Sequence, residues 1–389
     1  MDTEIIEKYL KEPPKTPIIG EFWTSKQRAA NSLQEVSYRA CFKPQLPAFF
    51  INQLSTKEDI IFDPFAGRGT TVLEAALLGR AGISNDVNPI SRIFLEGRLF
   101  PPTLEEIRNR LTEIHFDKTK KADIDLSMFY HKDTESEIIS LKDYLIKRRT
   151  TKEEDNIDKW IRMTATNRLT GHSKGYFSVY TFPPNQAVSR EEQIKINKKK
   201  NQVPEYKDVK QIILSKSARL LKDVTKEVRE TLFKIGPKIR LLEEDSTNLK
   251  SIANDTIGLT ITSPPFLDVV SYSKDNWLRM WFNAIPENEI SKRITVLKNL
   301  KDWSSFISKT FTELYRITKK GGYVAFEVGE IRKGNVNLDE TVKEISEKVG
   351  FNYMLTLINK QTFTKTSNIW GVSNNKKGTN TNRIVLSRK

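Results

Sequence analysis

The strongest chemical signal in the sequence is a turn of four residues, Ser263, Pro264, Pro265 and Phe266, which follows the apolar run TIGLTIT. Two consecutive prolines cannot continue a strand ladder, so they predict a rigid turn with exposed carbonyl groups at the strand end. The Ser263 hydroxyl and a fixed carbonyl can both accept hydrogen bonds from an NH₂ group, and the Phe266 ring can stack on a base. The turn therefore predicts chemistry on the amino group of a nucleobase, with a proline-rich turn capped by a core phenylalanine as the structural alternative.

A second signal is the glycine-rich segment DPFAGRGTT, which runs from Asp63 to Thr71 where a predicted strand turns into a helix. Gly67 and Gly69 allow a positive φ and a close approach of the backbone to a ligand, and the N–H groups at the start of the next helix favour a negatively charged partner. The segment matches neither the phosphate loop of NTPases nor the spacing of dinucleotide-binding loops. It predicts a ligand-binding loop, with a plain strand-to-helix turn as the alternative.

Two acidic residues follow predicted strands. Asp86, in SNDVNPI, lies about 20 residues beyond the glycines, which is where a doubly wound fold places an acid that binds ribose hydroxyls. Asn88 shapes the turn that follows it, and a capping or turn-forming role is the alternative for Asp86. Asp245, in LLEEDSTNL, can accept a hydrogen bond from the exocyclic amino group of an adenine ring.

A parallel sheet is needed to bring these residues together. Strands and helices alternate from residue 60 to about 99 and again after 240, which predicts an α/β fold with a doubly wound, Rossmann-like sheet. Between them, charged helical stretches and the basic run INKKKN predict a mostly helical insertion. Residues 159–240 contain 19 lysines and arginines against 7 aspartates and glutamates, so the excess positive charge is concentrated there. We predict four parts: an N-terminal cap (1–35), two halves of the α/β domain (36–99 and 241–389) and the insertion (100–240).

Composition limits the partners and the compartment. The formal net charge of +15 and the pI near 9.5 predict a polyanionic partner, either nucleic acid or an anionic membrane surface. No run of about 18 apolar residues and no signal peptide is evident, so we expect a soluble, cytoplasmic, prokaryote-like protein without membrane contact. A single cysteine, Cys41, and three scattered histidines give no zinc-ligand spacing, so we expect no metal.

DPFAGRGTT and TSPPF together resemble the S-adenosyl-L-methionine-dependent DNA methyltransferases that methylate exocyclic amino groups. The resemblance covers roughly 36–99 and 240–389. It implies that the loop wraps S-adenosyl-L-methionine, that Asp86 holds its ribose and Asp245 its adenine, and that VSYRACFKPQLPAFF lies beside its methionine end. The implied cofactor-binding residues are Lys43, Pro44, Asp63, Pro64, Phe65, Gly67, Gly69, Thr70, Asp86, Asn88 and Asp245, and the implied catalytic residues are Ser263, Pro264, Pro265 and Phe266.

The first residue of the turn bears on the target base. Enzymes of this family that methylate cytosine N4 usually have serine there, whereas adenine-N6 enzymes usually have aspartate or asparagine, so Ser263 favours the N4 of cytosine in duplex DNA. The resemblance implies direct methyl transfer to a base flipped out of the helix, without a covalent intermediate. The absence of a Pro-Cys pair argues against cytosine-C5 chemistry. An adenine-N6 enzyme, an RNA methyltransferase and a catalytically silent nucleic-acid-binding protein remain as alternatives.

The loop here precedes the catalytic turn, whereas it often follows the turn in the family, and this weakens the transfer of target-recognition details from those enzymes. The insertion is the candidate for target recognition, with basic residues that could hold phosphates. Arg168, Arg190 and Lys198 are candidate DNA contacts in it. The C-terminal QTFTKTSNIWGVSNN resembles a family stretch near the target pocket, which adds Lys365 and Asn368. The resemblance also suggests a restriction endonuclease as a functional partner.

Overall fold

The structure, a computed structural model, describes residues 9, 14, 16–20, 22, 30–38, 41–183, 186–265, 275–294, 297, 299–331, 336–360 and 381–389. Eight strands in these residues form one sheet in the order β1-β9-β10-β6-β5-β2-β3-β4, and two more, β7 and β8, form a separate hairpin. The strands are β1 (Ile18–Gly20), β2 (Ile61–Asp63), β3 (Gly82–Asn85), β4 (Ile239–Leu242), β5 (Ile257–Thr262), β6 (Thr318–Val328), β7 (Glu330–Ile331), β8 (Val336–Asn337), β9 (Asn352–Lys360) and β10 (Thr381–Arg388).

The order of the strands reverses between β2 and β5. From β2 the sheet continues through β3 to β4 in one direction, and through β5 and β6 in the other, with all of these strands parallel. β10 runs antiparallel between β6 and β9. In a doubly wound sheet, ligands bind outside the carboxyl ends of the strands at the point of reversal. This topology confirms the predicted α/β fold and places the ends of β2 and β5 at the expected ligand crevice.

The helices are α1 (Gln45–Leu54), α2 (Thr70–Leu77), α3 (Ile90–Leu99), α4 (Leu104–Glu113), α5 (Lys132–Thr150), α6 (Asn156–Arg168), α7 (Arg190–Lys200), α8 (Val209–Leu220), α9 (Lys226–Ile235), α10 (Trp277–Phe282), α11 (Glu287–Arg293), α12 (Leu300–Ile317) and α13 (Leu338–Val349). Their ends agree with local capping chemistry. Thr103 and Glu106, for example, form a reciprocal capping box at the start of α4. Among the described residues, no helix is long and apolar enough to cross a bilayer.

Six helices, α4 to α9, occupy the region between α3 and β4, as predicted for the basic insertion. Their apolar side chains join those of α2 and α3 in one buried cluster. α3 and α6 are in close contact, because a Cβ added at Gly97 would lie 2.9 Å from the Cβ of Met163. Trp160 is fully buried and donates its indole N–H to Ser217 Oγ at 2.9 Å. The helices therefore share a core with α2 and α3, and the four-part domain division stays a prediction.

The N-terminal segment differs from the expectation of a cap. Residues 18–20 form β1, which pairs in parallel with β9 and extends the sheet at that edge. Further along this segment, residues 32–34 form a single 3₁₀ turn. Three residues are too few to carry the alternation that identifies a strand in a sequence, so pairing with β9 decides this structure.

Candidate active site at the ends of the parallel strands

One pocket lies beyond the carboxyl ends of the parallel strands and brings the two sequence motifs together. It is lined by Tyr38, Pro64, Phe65, Gly67, Asp86, Val87, Asn88, Glu244, Asp245, Ser246, Ser263, Pro264, Pro265, Arg293, Ile294 and Phe306. Nine of the predicted site residues are among them. Five other predicted cofactor-binding residues, Lys43, Pro44, Asp63, Gly69 and Thr70, are described but do not line this pocket.

The glycine-rich loop takes a conformation that requires its glycines. Gly67 and Gly69 have φ of +53° and +78°, in the left-handed region that favours glycine. A Cβ at Gly69 would also lie 2.9 Å from the Cβ of Leu95 on α3, so the loop sits directly on that helix. Gly69 therefore acts by shaping the loop, while Gly67 faces the pocket.

Asp86 is joined to the loop through backbone hydrogen bonds. Its Oδ2 accepts from the Gly67 N–H at 2.8 Å and its Oδ1 accepts from the Asn88 N–H at 2.9 Å. Burial raises the pKa of Asp86 to about 6, although these two hydrogen bonds act in the opposite direction. The carboxylate is thus held rigidly in the pocket wall, where it can accept further hydrogen bonds from hydroxyl groups of a ligand.

Asp63 ties the loop to the catalytic turn. Its Oδ1 accepts from the Thr262 hydroxyl at 2.6 Å and from the Phe65 N–H at 3.1 Å. Its Oδ2 is buried and accepts no hydrogen bond from the described residues. Burial raises the pKa of Asp63 to about 6, and the hydrogen bond from Thr262 opposes this rise. Because Asp63 does not line the pocket, its contacts indicate a positioning role, which differs from the predicted role of lining the cofactor.

The turn after β5 is held by side chains of two neighbouring elements. The indole N–H of the buried Trp303, on α12, donates to the Pro265 carbonyl at 3.3 Å. On β6, burial raises the pKa of Glu327 to about 7, and the Ser263 side chain acts against this rise, which places the two side chains near each other. With the Pro265 carbonyl engaged, the Pro264 carbonyl is the turn's candidate acceptor for a substrate. Phe266 lies outside the described residues, so its stacking role stays a prediction.

Phe65, Phe306, Asp245 and Asp86 give the pocket a lining that suits an adenosine group. The rings of Phe65 and Phe306 have centroids 5.9 Å apart and supply apolar faces for a flat ring. Asp245 uses its Oδ1 to accept from the N–H and hydroxyl of Thr247, both at 2.8 Å. The two phenylalanines therefore offer aromatic faces for a nucleobase. Asp86 and Asp245 offer fixed acceptors for ribose hydroxyls and for an amino group. These residues fit S-adenosyl-L-methionine.

Residues 33–38 bring Tyr38 into the pocket lining, and we call them the strap. The last three of them begin the segment that was predicted to lie beside the methionine end of the cofactor. Its backbone carbonyls accept hydrogen bonds from side chains that are distant in sequence. The donors are Arg98 to Leu33 O (3.1 Å), Lys216 to Glu35 O (2.5 Å), Arg68 to Val36 O (2.8 Å), and Asn167 and Arg279 to Ser37 O (2.8 and 3.2 Å). The strap is thus fixed by α3, by the loop and by helices of the predicted insertion.

Three of these strap cations, Arg98, Lys216 and Arg279, are buried. Arg98 is fully buried and also donates to the Arg68 carbonyl within the glycine-rich loop. Burial lowers the pKa of Arg98 to about 9, with repulsion by Arg68 adding to the effect. Burial and repulsion by Arg168 lower the pKa of Lys216 to about 7. Buried cations that bond backbone carbonyls are costly, so they indicate that the position of the strap matters.

The residues predicted to contact nucleic acid differ in their exposure to solvent. The prediction that Arg168 contacts DNA is wrong, because this residue is only 3% exposed. Its guanidinium carbon lies 3.9 Å from the centroid of the Tyr176 ring, and it donates to Asn167 Oδ1 at 2.6 Å. A guanidinium enclosed in this way cannot reach a phosphate group. Arg190 and Lys198 lie at opposite ends of α7 and are exposed, as a DNA contact requires. Lys365 and Asn368 lie outside the described residues.

Sequence reasoning missed Glu327, Trp303 and the cations that hold the strap. One signal was available for Glu327, since it is a lone acid within the apolar strand GGYVAFEV. A charged residue at such a position is rarely buried unless it has partners. The strap contacts left no comparable signal, because each joins a backbone carbonyl to a residue far along the chain.

Comparison with known proteins agrees with this geometry. Residues 3–92, which include the glycine-rich loop and Asp86, match the family model described as DNA methylase. The chain is 24% identical over 350 residues to Type II methyltransferase M.BsoBI of Geobacillus stearothermophilus, covering 81% of this chain and 68% of that protein. It is 31% identical over 84 residues to Type II methyltransferase M.MjaII of Methanocaldococcus jannaschii, covering 22% of this chain and 16% of that protein.

The solved structures have lower sequence identity to this chain. The putative DNA modification methylase TTHA0409 from Thermus thermophilus, complexed with S-adenosyl-L-methionine, is 18% identical with a TM-score of 0.24 and covers 37% of this chain and 53% of its own. The rRNA methyltransferase aviRa from Streptomyces viridochromogenes is 10% identical with a TM-score of 0.36, covering 95% and 94%. Similarities of this size do not identify an activity.

The family match and the curated relatives confirm the resemblance to the amino-methylating DNA methyltransferases. They support a DNA methyltransferase of the N6/N4 type, and the residues of the pocket fit the predicted cofactor, S-adenosyl-L-methionine. The match begins at residue 3, so the family resemblance extends further toward the N-terminus than the segment 36–99 on which it was predicted.

Proposed function

We propose that this DNA methyltransferase of the N6/N4 type methylates the exocyclic N4 of cytosine in duplex DNA. The observation that carries the proposal is the position of Ser263. It lines the same pocket as Asp86 and Asp245, at the end of the strand next to the glycine-rich loop. A hydroxyl and a fixed carbonyl at this point supply the acceptors that an amino group needs.

S-adenosyl-L-methionine supplies an electrophilic methyl group on sulfur when it is bound. The residues that would hold it are on the pocket wall. Phe65 and Phe306 would pack against the adenine ring, Asp86 would accept hydrogen bonds from the ribose hydroxyls, and Asp245 would accept one from the adenine amino group. The raised pKa of Asp86 fits this role, because a ligand with positive charge stabilises a buried carboxylate.

The target cytosine must leave the base stack, because its N4 cannot reach a buried pocket from within the duplex. Ser263 and the Pro264 carbonyl would accept hydrogen bonds from its amino group, and Phe266 would stack on its ring. These contacts fix the nitrogen against the methyl donor. Positioning in a pocket that excludes water supplies most of the rate in this mechanism.

DNA would be held by the exposed basic side chains of the helical region. α7 begins at Arg190 and ends with three exposed lysines, Lys198, Lys199 and Lys200. Lysines of this kind contact phosphates and give binding that weakens with salt, whereas base contacts set the sequence that is recognised.

A restriction endonuclease that cleaves the same site is part of the proposal. Its support is that both curated relatives are named Type II methyltransferases. DNA modified by this protein should resist one Type II nuclease, and DNA that stays sensitive to every such nuclease tested would count against a restriction pairing.

The product identifies the activity. The protein is incubated with S-adenosyl-L-methionine carrying a tritiated methyl group and with unmethylated genomic DNA, and the digested nucleosides are separated and weighed by mass spectrometry. We expect labelled N4-methylcytosine from the wild type and none from Ser263→Ala. Labelled N6-methyladenine would overturn the choice of base, and labelled RNA with unlabelled DNA would overturn the substrate class.

A further inference from the structure

Four consecutive exposed residues, 172–175, form a loop between α6 and α7; we call it the HSKG loop. The residues directly before and after it are buried. The Phe177 N–H donates to the Arg168 carbonyl at 2.9 Å. The Thr181 N–H donates to the Gly171 carbonyl at 3.0 Å. The base of the loop is therefore fixed by backbone hydrogen bonds, while the loop itself is exposed.

Tyr176 supports the loop from its C-terminal side. The Arg168 guanidinium carbon lies 3.9 Å from the centroid of the Tyr176 ring, and the same ring occupies the space that a Cβ at Gly171 would need. The Lys207 ammonium donates to the Tyr176 carbonyl at 3.0 Å. Arg168, which is too buried to reach DNA, therefore acts by holding the base of the HSKG loop.

The HSKG loop lies beside the pocket. The Tyr176 hydroxyl is 3.2 Å from Ser37 Oγ of the strap, and the next residue of the strap, Tyr38, lines the pocket. Arg168 also donates to Ser37 Oγ at 3.5 Å. When a base is turned out of a duplex into a pocket, its own phosphates stay at the mouth of that pocket. The loop is thus placed where the backbone of a target strand would pass.

The HSKG loop and a nearby helix carry two exposed cations. Lys174 is in the loop, and Arg219 is in the last turn of α8. Neither forms an ion pair with the residues that the structure describes. By contrast, the exposed Lys195 and Lys226 each pair with a glutamate of their own helix. An exposed cation that no acid neutralises is available to a phosphate group.

Further cations surround the base of the loop. Burial lowers the pKa of Arg168 to about 10, and repulsion by Arg219 and Arg279 adds to this effect. Burial also lowers the pKa of Lys216 to about 7, with repulsion by Arg168 and Arg219 in the same direction and the exposed Glu35 opposing it. Arg219 is therefore within electrostatic reach of the base of the loop. Clustered positive charge of this kind attracts a polyanion.

We propose that the HSKG loop and Arg219 bind the sugar–phosphate backbone of the target strand beside the flipped nucleotide, with Lys174 and Arg219 each contacting a phosphate. This inference rests on the proposed function, because it requires a DNA duplex from which one base is turned out. It adds a contact next to the pocket to the contact proposed for α7. Phosphate contacts position a protein on DNA without reading sequence, so this surface would keep the target nucleotide in register with the pocket.

The test is the salt dependence of binding to a short duplex with one copy of the site that the wild type methylates. Lys174→Gln and Arg219→Gln should each weaken binding severalfold and reduce the slope of log affinity against log salt by about 1, and the double variant by about 2. Lys348→Gln is the matched control and should keep the wild-type slope. Lys348 is also exposed without an ion pair to a described residue, but it lies on α13, which packs against β9 and β10.

A methylphosphonate, which replaces one charged phosphate by a neutral group, locates the contact on the DNA. Placed beside the target nucleotide, it should weaken binding of the wild type severalfold. It should weaken binding of the double variant little further, because the contact with that phosphate is already lost. A double variant that is as sensitive as the wild type would place the contact elsewhere and overturn the inference.

Two other results would also overturn it. One is a salt slope that stays unchanged in both single variants, or that falls equally in Lys348→Gln. The other is an altered methylation site with an unchanged slope, because the loop would then read bases and not phosphates. If the wild type methylates no DNA, the proposed function fails instead, so the two failures are distinguishable.

Discussion

Buried acids lie at the carboxyl ends of the strands, whereas the buried charged groups that contact the strap are mostly cations, with Glu74, which accepts from Gln34, as the exception. At the strand ends, burial raises the pKa of Asp63, Asp86 and Glu327. Behind the strap, burial lowers the pKa of Arg98 and Lys216. The acids are joined to hydroxyl and N–H donors, whereas the cations are joined to backbone carbonyls, so neither set is neutralised by the other.

This difference suggests that the buried acids and the buried cations have different roles, the acids in ligand binding and the cations in holding the strap. A methyl donor with a positive sulfur and an ammonium group would relieve the acidic side, which therefore stays costly until ligand binds. The cations already have their partners in the strap. We infer that the acids serve ligand and chemistry, while the cations fix the backbone that closes the pocket and couple it to the helical region.

The largest expected effect comes from cutting the link between loop and turn. Asp63→Ala removes the acceptor shared by Thr262 and Phe65, and we expect kcat/KM for methyl transfer to fall roughly 100-fold, because small displacements of reacting groups cost that much. Thr262→Val, which removes only one of these bonds, should have a smaller effect. Full activity in Asp63→Ala would show that the two motifs do not depend on this contact.

Asp86 and Lys216 should change the free energy of unfolding in opposite directions as pH rises. The folded protein holds protons on Asp86 up to pH about 6, above the usual range, so this acid lowers the free energy of unfolding as pH rises from about 4 to 6. The folded protein loses the Lys216 proton near pH 7, whereas the unfolded chain keeps it, so this lysine raises that free energy as pH rises above 7.

Urea unfolding at several pH values measures this contrast. The stability gained by Asp86→Asn over the wild type should grow with pH between 4 and 6, by up to about 2 kcal/mol. The stability of Lys216→Met relative to the wild type should fall as pH rises above 7. Differences that do not vary with pH in these two windows would contradict the assigned protonation states.

The strap itself can be tested with two lysines of the same helix. Lys216→Ala leaves the Glu35 carbonyl without its donor and should raise the KM for S-adenosyl-L-methionine roughly tenfold, since a hydrogen bond from a charged donor contributes about 1.5–3 kcal/mol. Lys210, also on α8, donates to the Ile114 carbonyl at 2.8 Å, away from the strap. Lys210→Ala should destabilise the fold without changing KM, and equal KM values for both variants would argue against a role for the strap.

The smallest effect is expected at the exposed basic surface. Lys198→Gln should weaken DNA binding severalfold and reduce the slope of log affinity against log salt by about 1, as loss of one phosphate contact does. Lys226→Gln, at an exposed lysine on α9, is the control and should leave the slope unchanged. An unchanged slope for Lys198→Gln would remove α7 from the DNA interface.

The features that could be predicted from the sequence are those that depend on neighbouring residues in the chain. Glycines and prolines at Gly67, Gly69 and Pro264 restrict the backbone locally, so the loop, the turn and the parallel sheet could be predicted from spacing alone. Long-range contacts were not predictable in this way. The pairing of β1 with β9, the burial of Arg168 and the bonds from Lys216 and Arg98 to the strap depend on tertiary packing, which no local pattern records.

The central claim is that the glycine-rich loop and the catalytic turn form one pocket that binds the methyl donor beside the target base. Calorimetric titration of S-adenosyl-L-methionine into the wild type, Asp86→Ala and Ser263→Ala tests it most directly. We predict saturable binding to the wild type, loss of binding in Asp86→Ala, and binding without methyl transfer in Ser263→Ala. Undiminished binding to Asp86→Ala would place the cofactor elsewhere and contradict the account.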